Sequence, residues 1–158
     1  MSNKFSHLNA KGVPTMVDIS DKTVTQRMAM AQSIVELPEE IIQQLENDDI
    51  KTKKGPVFQT AVLAGIIAIK KTSDLIPLCH PLPLTKSNIE IKINDRKEVI
   101  ITSEVKVTGK TGVEMEALTG ASVAALTIYD MCKGFSQNII IKETKLMKKS
   151  GVKTDYER

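Results

Sequence analysis

The segment Gly112–Lys133, GVEMEALTGASVAALTIYDMCK, is small and apolar almost all round, and it predicts a long helix. A helix of this composition is normally buried against other protein. It nevertheless carries Glu114 and Glu116 in its first turn and Asp130 and Lys133 in its last. Because buried charges are costly unless they are paired or used in chemistry, the segment predicts a functional site as well as a core element.

The elements around this helix predict the fold class. We expect a strand at Val24–Leu37, a helix opening at Pro38 (PEEIIQQLEN), a basic turn at Lys51–Lys54, a helix at Val57–Lys71, an irregular stretch at Ser73–Leu84, a hairpin of Ile89–Ile93 and Val99–Val107, and a last strand at Asn138–Lys142. This order is that of the split βαβ unit. The chain is therefore predicted to be α+β and ferredoxin-like, with helices packed on one face of an antiparallel sheet. Residues 1–158 should form one domain, with a mobile arm at 1–15 and a basic tail at 147–158 that loses periodicity and is expected to be mobile.

Composition excludes several classes of protein. There is no Trp among 158 residues and only five other aromatic residues, which argues against nucleic-acid binding by base stacking. The net charge of +3 is compatible with an anionic small-molecule ligand but is too small for a dedicated DNA-binding protein. Two cysteines, no signal-peptide pattern and no apolar run long enough to span a bilayer predict a cytoplasmic protein without membrane partners.

Two familiar motifs fail on inspection. The run Val107–Gly112 (VTGKTG) suggests a phosphate-binding P-loop, but the position of that motif's first glycine is occupied by Glu104. A zinc site built on Cys79, His80 and Cys132 would need adjacent ligands to chelate one ion, which is poor geometry. We therefore predict neither a Walker A site nor a metal site.

His80 leaves two interpretations open. A Cys79–His80 nucleophilic pair is disfavoured because neighbouring residues of an extended segment point to opposite sides. Pro81 holds His80 extended, so the imidazole is either a rigidly presented phosphate or acid–base group or a hydrogen-bonded structural histidine.

Asp130 and Lys133 are three residues apart and lie on one helix face. One interpretation is an ordinary surface ion pair, worth at most about 1 kcal/mol. The apolar setting of Ile128, Met131 and Cys132 favours the other, in which burial beside the acid holds the lysine as a poised proton donor.

Glu116 and Asp130 lie roughly 40° apart around the helix axis but about 21 Å apart along it. One small substrate could hardly contact both within a single chain. We therefore predict composite sites at the interface of a twofold dimer whose helices run antiparallel. Alternatively, Glu114 and Glu116 are favourable charges at the positive end of the helix. The basic turn Lys51–Lys54 matters only if it reaches the same interface, and is otherwise a solvated loop.

Five segments together closely resemble the cyclic pyranopterin monophosphate synthase family, the C protein of molybdenum cofactor biosynthesis. They are MVDIS (Met16–Ser20), KGPVF (Lys54–Phe58), DLIPLCHPLPL (Asp74–Leu84), TGKTGVEMEALTGASVAALTIYDMCK (Thr108–Lys133) and KSG (Lys149–Gly151). They are spread over nearly the whole chain, and the long helix with the LCHP loop is highly specific.

The resemblance implies a ferredoxin-like subunit that assembles as a hexamer of three dimers, with active sites at the dimer interface. It implies a lyase that converts 3′,8-cyclo-7,8-dihydro-GTP to cyclic pyranopterin monophosphate and releases pyrophosphate. No cofactor is required, although Mg²⁺ could accompany the triphosphate. The alternative is an oligomer that binds nucleotide or pterin without catalysis.

Site residues follow from the same resemblance. Asp130 is implied as catalytic, with Lys133 and Lys54 assisting proton transfer and stabilising charge. The residues expected to bind substrate are Leu78, Cys79, His80, Glu114, Met115 and Glu116, with Arg27 and Lys149 as phosphate contacts. The tail departs from the family, which typically reads KSGGKSG where this chain reads KSGVKTD, so Val152 replaces a glycine.

Overall fold

A computed structural model describes residues 5–151 and 154–158. Its elements in chain order are β1 (Thr25–Glu36), α1 (Glu39–Ile42), β2 (Leu45–Glu46), β3 (Asp49–Thr52), β4 (Gly55–Pro56), α2 (Val57–Lys70), α3 (Thr72–Leu75), β5 (Leu84–Ile93), β6 (Glu98–Gly109), α4 (Glu114–Cys132), β7 (Ile140–Ser150) and β8 (Tyr156–Glu157).

Antiparallel pairing of the long strands confirms the ferredoxin-like prediction. The main sheet has the order β5-β6-β1-β7-β8, and β1 lies antiparallel to both β6 and β7. Side chains alternate between the two faces of a strand, and in β1 the buried positions run from Ala29 to Val35 in steps of two. Those positions face α4, which forms the helical layer on one side of the sheet together with α2, and α2 lies against β5. The core lies between these two layers.

Glycines allow the helical layer to approach closely. A Cβ atom added at Gly120 of α4 would lie 2.5 Å from Cγ1 of Ile69 and 2.8 Å from Oγ of Ser103. One added at Gly65 of α2 would lie 2.8 Å from Cγ1 of Ile89. The two glycines also face each other, so α2 and α4 pack tightly on β5 and β6.

The long helix forms as predicted, but it is buried on one face only. Ala117, Ala121 and Ala124 pack into the core, whereas Leu126 on the opposite face is 58% exposed. Leu63 and Ile67 on the outer face of α2 are also more than half exposed. The helical layer therefore presents apolar side chains outward.

The predicted helix after Pro38 is wrong beyond its first turn. Only Glu39–Ile42 is helical, and the chain then reverses at Asn47 and Asp48, which both have positive φ. This reversal pairs β2 with β3, and a second reversal pairs β3 with β4, to form a small three-stranded sheet. The predicted basic turn is correspondingly shorter, because Lys51 belongs to β3.

Two further predictions need correction. The stretch 73–84 is not wholly irregular, because its first proline is Pro77 and the preceding residues can form α3. The last strand does not end at Lys142 but continues to Ser150 through pairing with β1. The predicted loss of regularity at Met147 is therefore wrong up to Ser150, and the expectation about Val152 lies outside the described residues.

At the other end of the chain, Leu8 and Pro14 form an isolated antiparallel bridge within the predicted arm. Among the described residues, no helix is long and apolar enough to cross a membrane.

Candidate active site

Three predicted residues meet at the C-terminal end of α4 and are called here the acid–lysine cluster: Lys54, Asp130 and Lys133. Nζ of Lys54 lies 3.1 Å from Oδ2 of Asp130, and Nζ of Lys133 lies 3.0 Å from Oδ1. Each carboxylate oxygen therefore accepts a hydrogen bond from a different ammonium group. Lys133 is brought there by helical spacing, while Lys54 arrives from the turn between β3 and β4.

The predicted burial of this cluster is wrong for the single chain. All three side chains are more than half exposed, Asp130 at 54%. The physical reason is helical geometry, because Ile128 and Cys132 point into the core while Asp130 faces away from them. Hydrogen bonds from Lys133 and Lys54 lower the pKa of the Asp130 carboxyl below its ordinary value. The carboxylate is therefore ionised throughout the neutral range.

A cavity of about 570 Å³ opens beside the acid–lysine cluster. Its wall includes the apolar side chains of Met131 and Phe135 next to the three charged groups. A cavity that combines apolar surface with a few convergent polar groups is typical of small-molecule sites.

Glu116 occupies the opposite end of α4 in a different environment. It is only 5% exposed, and its Oε2 atom has no hydrogen-bond partner among the described residues. Burial, reinforced by the nearby Glu114 carboxylate, raises the pKa of Glu116 to about 7. Glu116 is therefore not an ordinary favourable charge at a helix N-terminus but a buried acid that exchanges its proton near neutral pH.

The LCHP loop and the start of α4 enclose this acid in a cavity of about 260 Å³, called here the amino-end cavity. The sequence-predicted residues that line it are Leu78, Cys79, His80, Glu114, Met115 and Glu116. Burial raises the pKa of the Cys79 thiol, and the Glu116 charge adds to the effect. A low thiolate fraction agrees with the rejection of Cys79 as a nucleophile.

A second opening, of about 960 Å³, adjoins the amino-end cavity and shares Lys22 and Glu114 with it. We call it the basic cavity, because Lys22, Arg27 and Lys149 all line it. Nε of Arg27 donates to the carbonyl oxygen of Gly109 at 3.1 Å, and Nζ of Lys149 lies 3.6 Å from Oε1 of Glu114. Three cations on neighbouring strands and loops form a surface suited to phosphate.

The predicted residues thus form two groups and not one. The acid–lysine cluster lies at one end of α4, and the two other cavities lie at its beginning. Among the described residues, none that lines the cavity at Asp130 also lines either of the others. Because α4 is continuous from Glu114 to Cys132, helix geometry places Glu116 and Asp130 about 21 Å apart within one chain.

The sequence did not indicate several residues that the structure places at these sites. Lys22 lies two residues after the MVDIS segment, and its proximity to that motif was the available signal. Phe135 lies just after α4. Apart from being one of the few aromatic residues of the chain, it had no sequence feature that indicated a site. Asp49 and Thr52 hold the turn that carries Lys54, and their partners are mainly backbone groups, which leave no pattern in the sequence.

Residues that could hold a metal ion do not come together in the described part of the chain, where no three His, Cys, Asp or Glu side chains form a suitable group.

Comparison with known proteins identifies the family to which the chain belongs. The model of the MoaC family matches residues 16–152. "Molybdenum cofactor biosynthesis protein 1" of Dictyostelium discoideum is 51% identical over 170 aligned residues, which cover 97% of this chain and 27% of that protein. "Molybdenum cofactor biosynthesis bifunctional protein" of a Synechocystis strain is 53% identical over 158, covering 98% and 46% respectively. The chain thus spans less than half the length of these two relatives. With a family match across most of its length, the chain belongs to the MoaC family.

Proposed function

We propose that this chain is a cyclic pyranopterin monophosphate synthase acting in molybdenum cofactor biosynthesis. Its substrate would be 3′,8-cyclo-7,8-dihydro-GTP, and its products cyclic pyranopterin monophosphate and pyrophosphate. Family membership and the names of the two relatives support the pathway. The observation that carries the proposal is the acid–lysine cluster, in which one carboxylate holds two ammonium groups beside an open cavity.

The acid–lysine cluster supplies the proton transfers that the ring rearrangement needs. Because Asp130 stays ionised, it orients Lys54 and Lys133 and accepts hydrogen bonds from both. The two ammonium groups are then the proton donors, and they stabilise negative charge that develops on the substrate. In the closing step a ribose-derived hydroxyl attacks the α-phosphorus, its proton passes to a base, and the bond to pyrophosphate breaks.

The other end of α4 would bind the substrate. Lys22, Arg27 and Lys149 of the basic cavity would contact the triphosphate, with Mg²⁺ as an accompanying ion where one takes part. The amino-end cavity would hold the purine-derived ring against the LCHP loop. Glu116, with a pKa of about 7, can there donate or accept a hydrogen bond at the ring's polar edge.

We further propose that a complete site needs two copies of the chain. The two ends of α4 lie too far apart for one small substrate, and antiparallel packing of two such helices would place each beginning near the other's end. Exposed apolar side chains on the helical layer, Leu63, Ile67 and Leu126, support a partner on that face. A hexamer made of three such dimers is the proposed assembly.

Incubation with the cyclised GTP intermediate tests the proposal. The expected result is stoichiometric release of pyrophosphate together with the cyclic phosphate product. Binding of the intermediate without pyrophosphate release would favour a non-catalytic nucleotide- or pterin-binding oligomer. The pterin product is measured separately, as its oxidised fluorescent derivative. Pyrophosphate released by a contaminating hydrolase therefore cannot be mistaken for turnover.

A further inference from the structure

The turn that carries Lys54 is held by one hydroxyl group. Oγ1 of Thr52 accepts a hydrogen bond from the backbone N–H of Lys54 at 3.0 Å and donates one to the carbonyl oxygen of Gly55 at 3.1 Å. Thr52 and Gly55 are also cross-strand partners, and Gly55 has a φ of +112° that favours glycine. The side chain of Thr52 therefore ties both ends of the tight turn together.

The base of the same hairpin is tied to α2. Asp49 is 8% exposed, and its Oδ1 accepts hydrogen bonds from the N–H groups of Ile50 and Phe58, both at 2.7 Å. Its Oδ2 accepts a third from Gln59 at 3.2 Å. Pro56, the residue before α2, makes no side-chain cap. Asp49 therefore caps the helix from a neighbouring strand and fixes where the hairpin begins.

Lys54 itself has little else to hold it. Its side chain is 56% exposed, and among the described residues its ammonium group makes polar contacts with Asp130 alone, to Oδ2 at 3.1 Å and to the backbone oxygen at 3.5 Å. A long lysine side chain loses much rotamer entropy when it is ordered. The position of its ammonium group therefore depends on a backbone that is already fixed.

We propose that Thr52 is a positioning residue for Lys54, and that Asp49 anchors the hairpin through which it acts. This inference rests on the proposed function only for its catalytic consequence. The geometric part holds for the folded chain alone: without the hydroxyl, the turn loosens and Lys54 spends less time against Asp130. Thr52 also borders the cavity beside the acid–lysine cluster, but the inferred role of Thr52 and Asp49 needs no contact with the substrate.

The test is a double-mutant cycle between Thr52→Val and Lys54→Ala, read by the pKa of Asp130 in a ¹³C carboxyl NMR titration. Lys54 is one of the two groups that lower this pKa, so Lys54→Ala should raise it. Thr52→Val should raise it in the same direction, and the double variant should show no further rise beyond Lys54→Ala. Thr52→Ser, which keeps the hydroxyl, should restore the wild-type value.

Kinetics provide the second readout. If the proposed reaction takes place, Thr52→Val should lower kcat by about tenfold or more with little change in KM, because small misplacement of a catalytic group is costly. That loss should vanish in the Lys54→Ala background. The matched control is Thr72→Val, which also removes a hydroxyl with two backbone hydrogen bonds but none to this hairpin, and should leave the Asp130 pKa unchanged.

Two results would overturn the inference: an unchanged Asp130 pKa in a folded Thr52→Val chain, or effects of the two substitutions that simply add. Should Thr52→Val fail to fold, Thr52→Ala removes the same hydroxyl and carries the same test. The titration requires no substrate. An inactive wild type with the expected pKa pattern would therefore refute the proposed function and leave the positioning role of Thr52 intact.

Discussion

Replacement of Glu116 by Gln should change how the stability of the protein depends on pH. The substitution exchanges a carboxyl that is 5% exposed for a neutral amide of nearly the same shape. Burial, helped by Glu114, raises the pKa of Glu116 from 4.5 to about 7. At about 1.4 kcal/mol per pKa unit, this difference corresponds to about 3 kcal/mol in the free energy of unfolding.

The sign follows from which state holds the proton more tightly. The folded state binds it more tightly than the unfolded chain, so the contribution of Glu116 to stability is fully present below pH 4.5. It decreases as pH rises and levels off above about pH 7. The Glu116→Gln variant has no carboxyl at this position, so its stability lacks this dependence on pH. Relative to wild type, it should therefore gain about 3 kcal/mol between about pH 4 and pH 8.

Urea denaturation followed by circular dichroism, at a series of pH values and one protein concentration, measures this difference. A fixed concentration is needed because assembly stabilises the folded state by mass action. Glu90→Gln is the matched control, since Glu90 is exposed and should show no comparable change. Parallel pH profiles for wild type and Glu116→Gln would refute the reasoning, because they would mean that Glu116 titrates normally in the folded protein.

Two further predictions concern the acid–lysine cluster and the packing of α4. Lys133→Ala should lower kcat by about 10²- to 10⁴-fold, which is the usual contribution of a general acid. The melting temperature should not change. As a control, Lys92→Ala, which replaces an exposed lysine, should leave turnover unaffected. An equally active Lys133→Ala enzyme would remove the catalytic role. Gly120→Ala should lower the free energy of unfolding, measured by urea denaturation, by about 1–3 kcal/mol, because the added Cβ would meet Ile69 and Ser103. Gly134→Ala is the control and should lower it little, because the space around that position is open. Equal costs would contradict the close packing.

The order of the main elements along the chain could be predicted because its signals are local. Alternation in Ile89–Ile93 and helical spacing in Gly112–Lys133 each involve residues close in sequence, and both elements form. The continuation of β7 beyond Lys142 was missed because its side chains are mostly polar. That part of the strand forms through pairing with Ala29 and Ala31 of β1, which is a tertiary effect.

The candidate site likewise contains one contact that follows from local sequence spacing and one that does not. The contact between Asp130 and Lys133 follows from helical spacing alone. Lys54 is 76 residues from Asp130 in the chain, so only the family resemblance could place the two together. The exposure of Asp130 was mispredicted because apolar neighbours in sequence lie on the opposite side of the helix.

The most direct test of the composite site mixes two inactive chains, Glu116→Ala and Asp130→Ala, after joint unfolding and refolding. In a mixed dimer, one of the two sites would receive both defects and the other would receive none. Random pairing makes half of the dimers mixed, so about a quarter of the wild-type activity should return. Verified mixed dimers that release no pyrophosphate from the cyclised GTP intermediate would contradict a site shared between two copies of the chain.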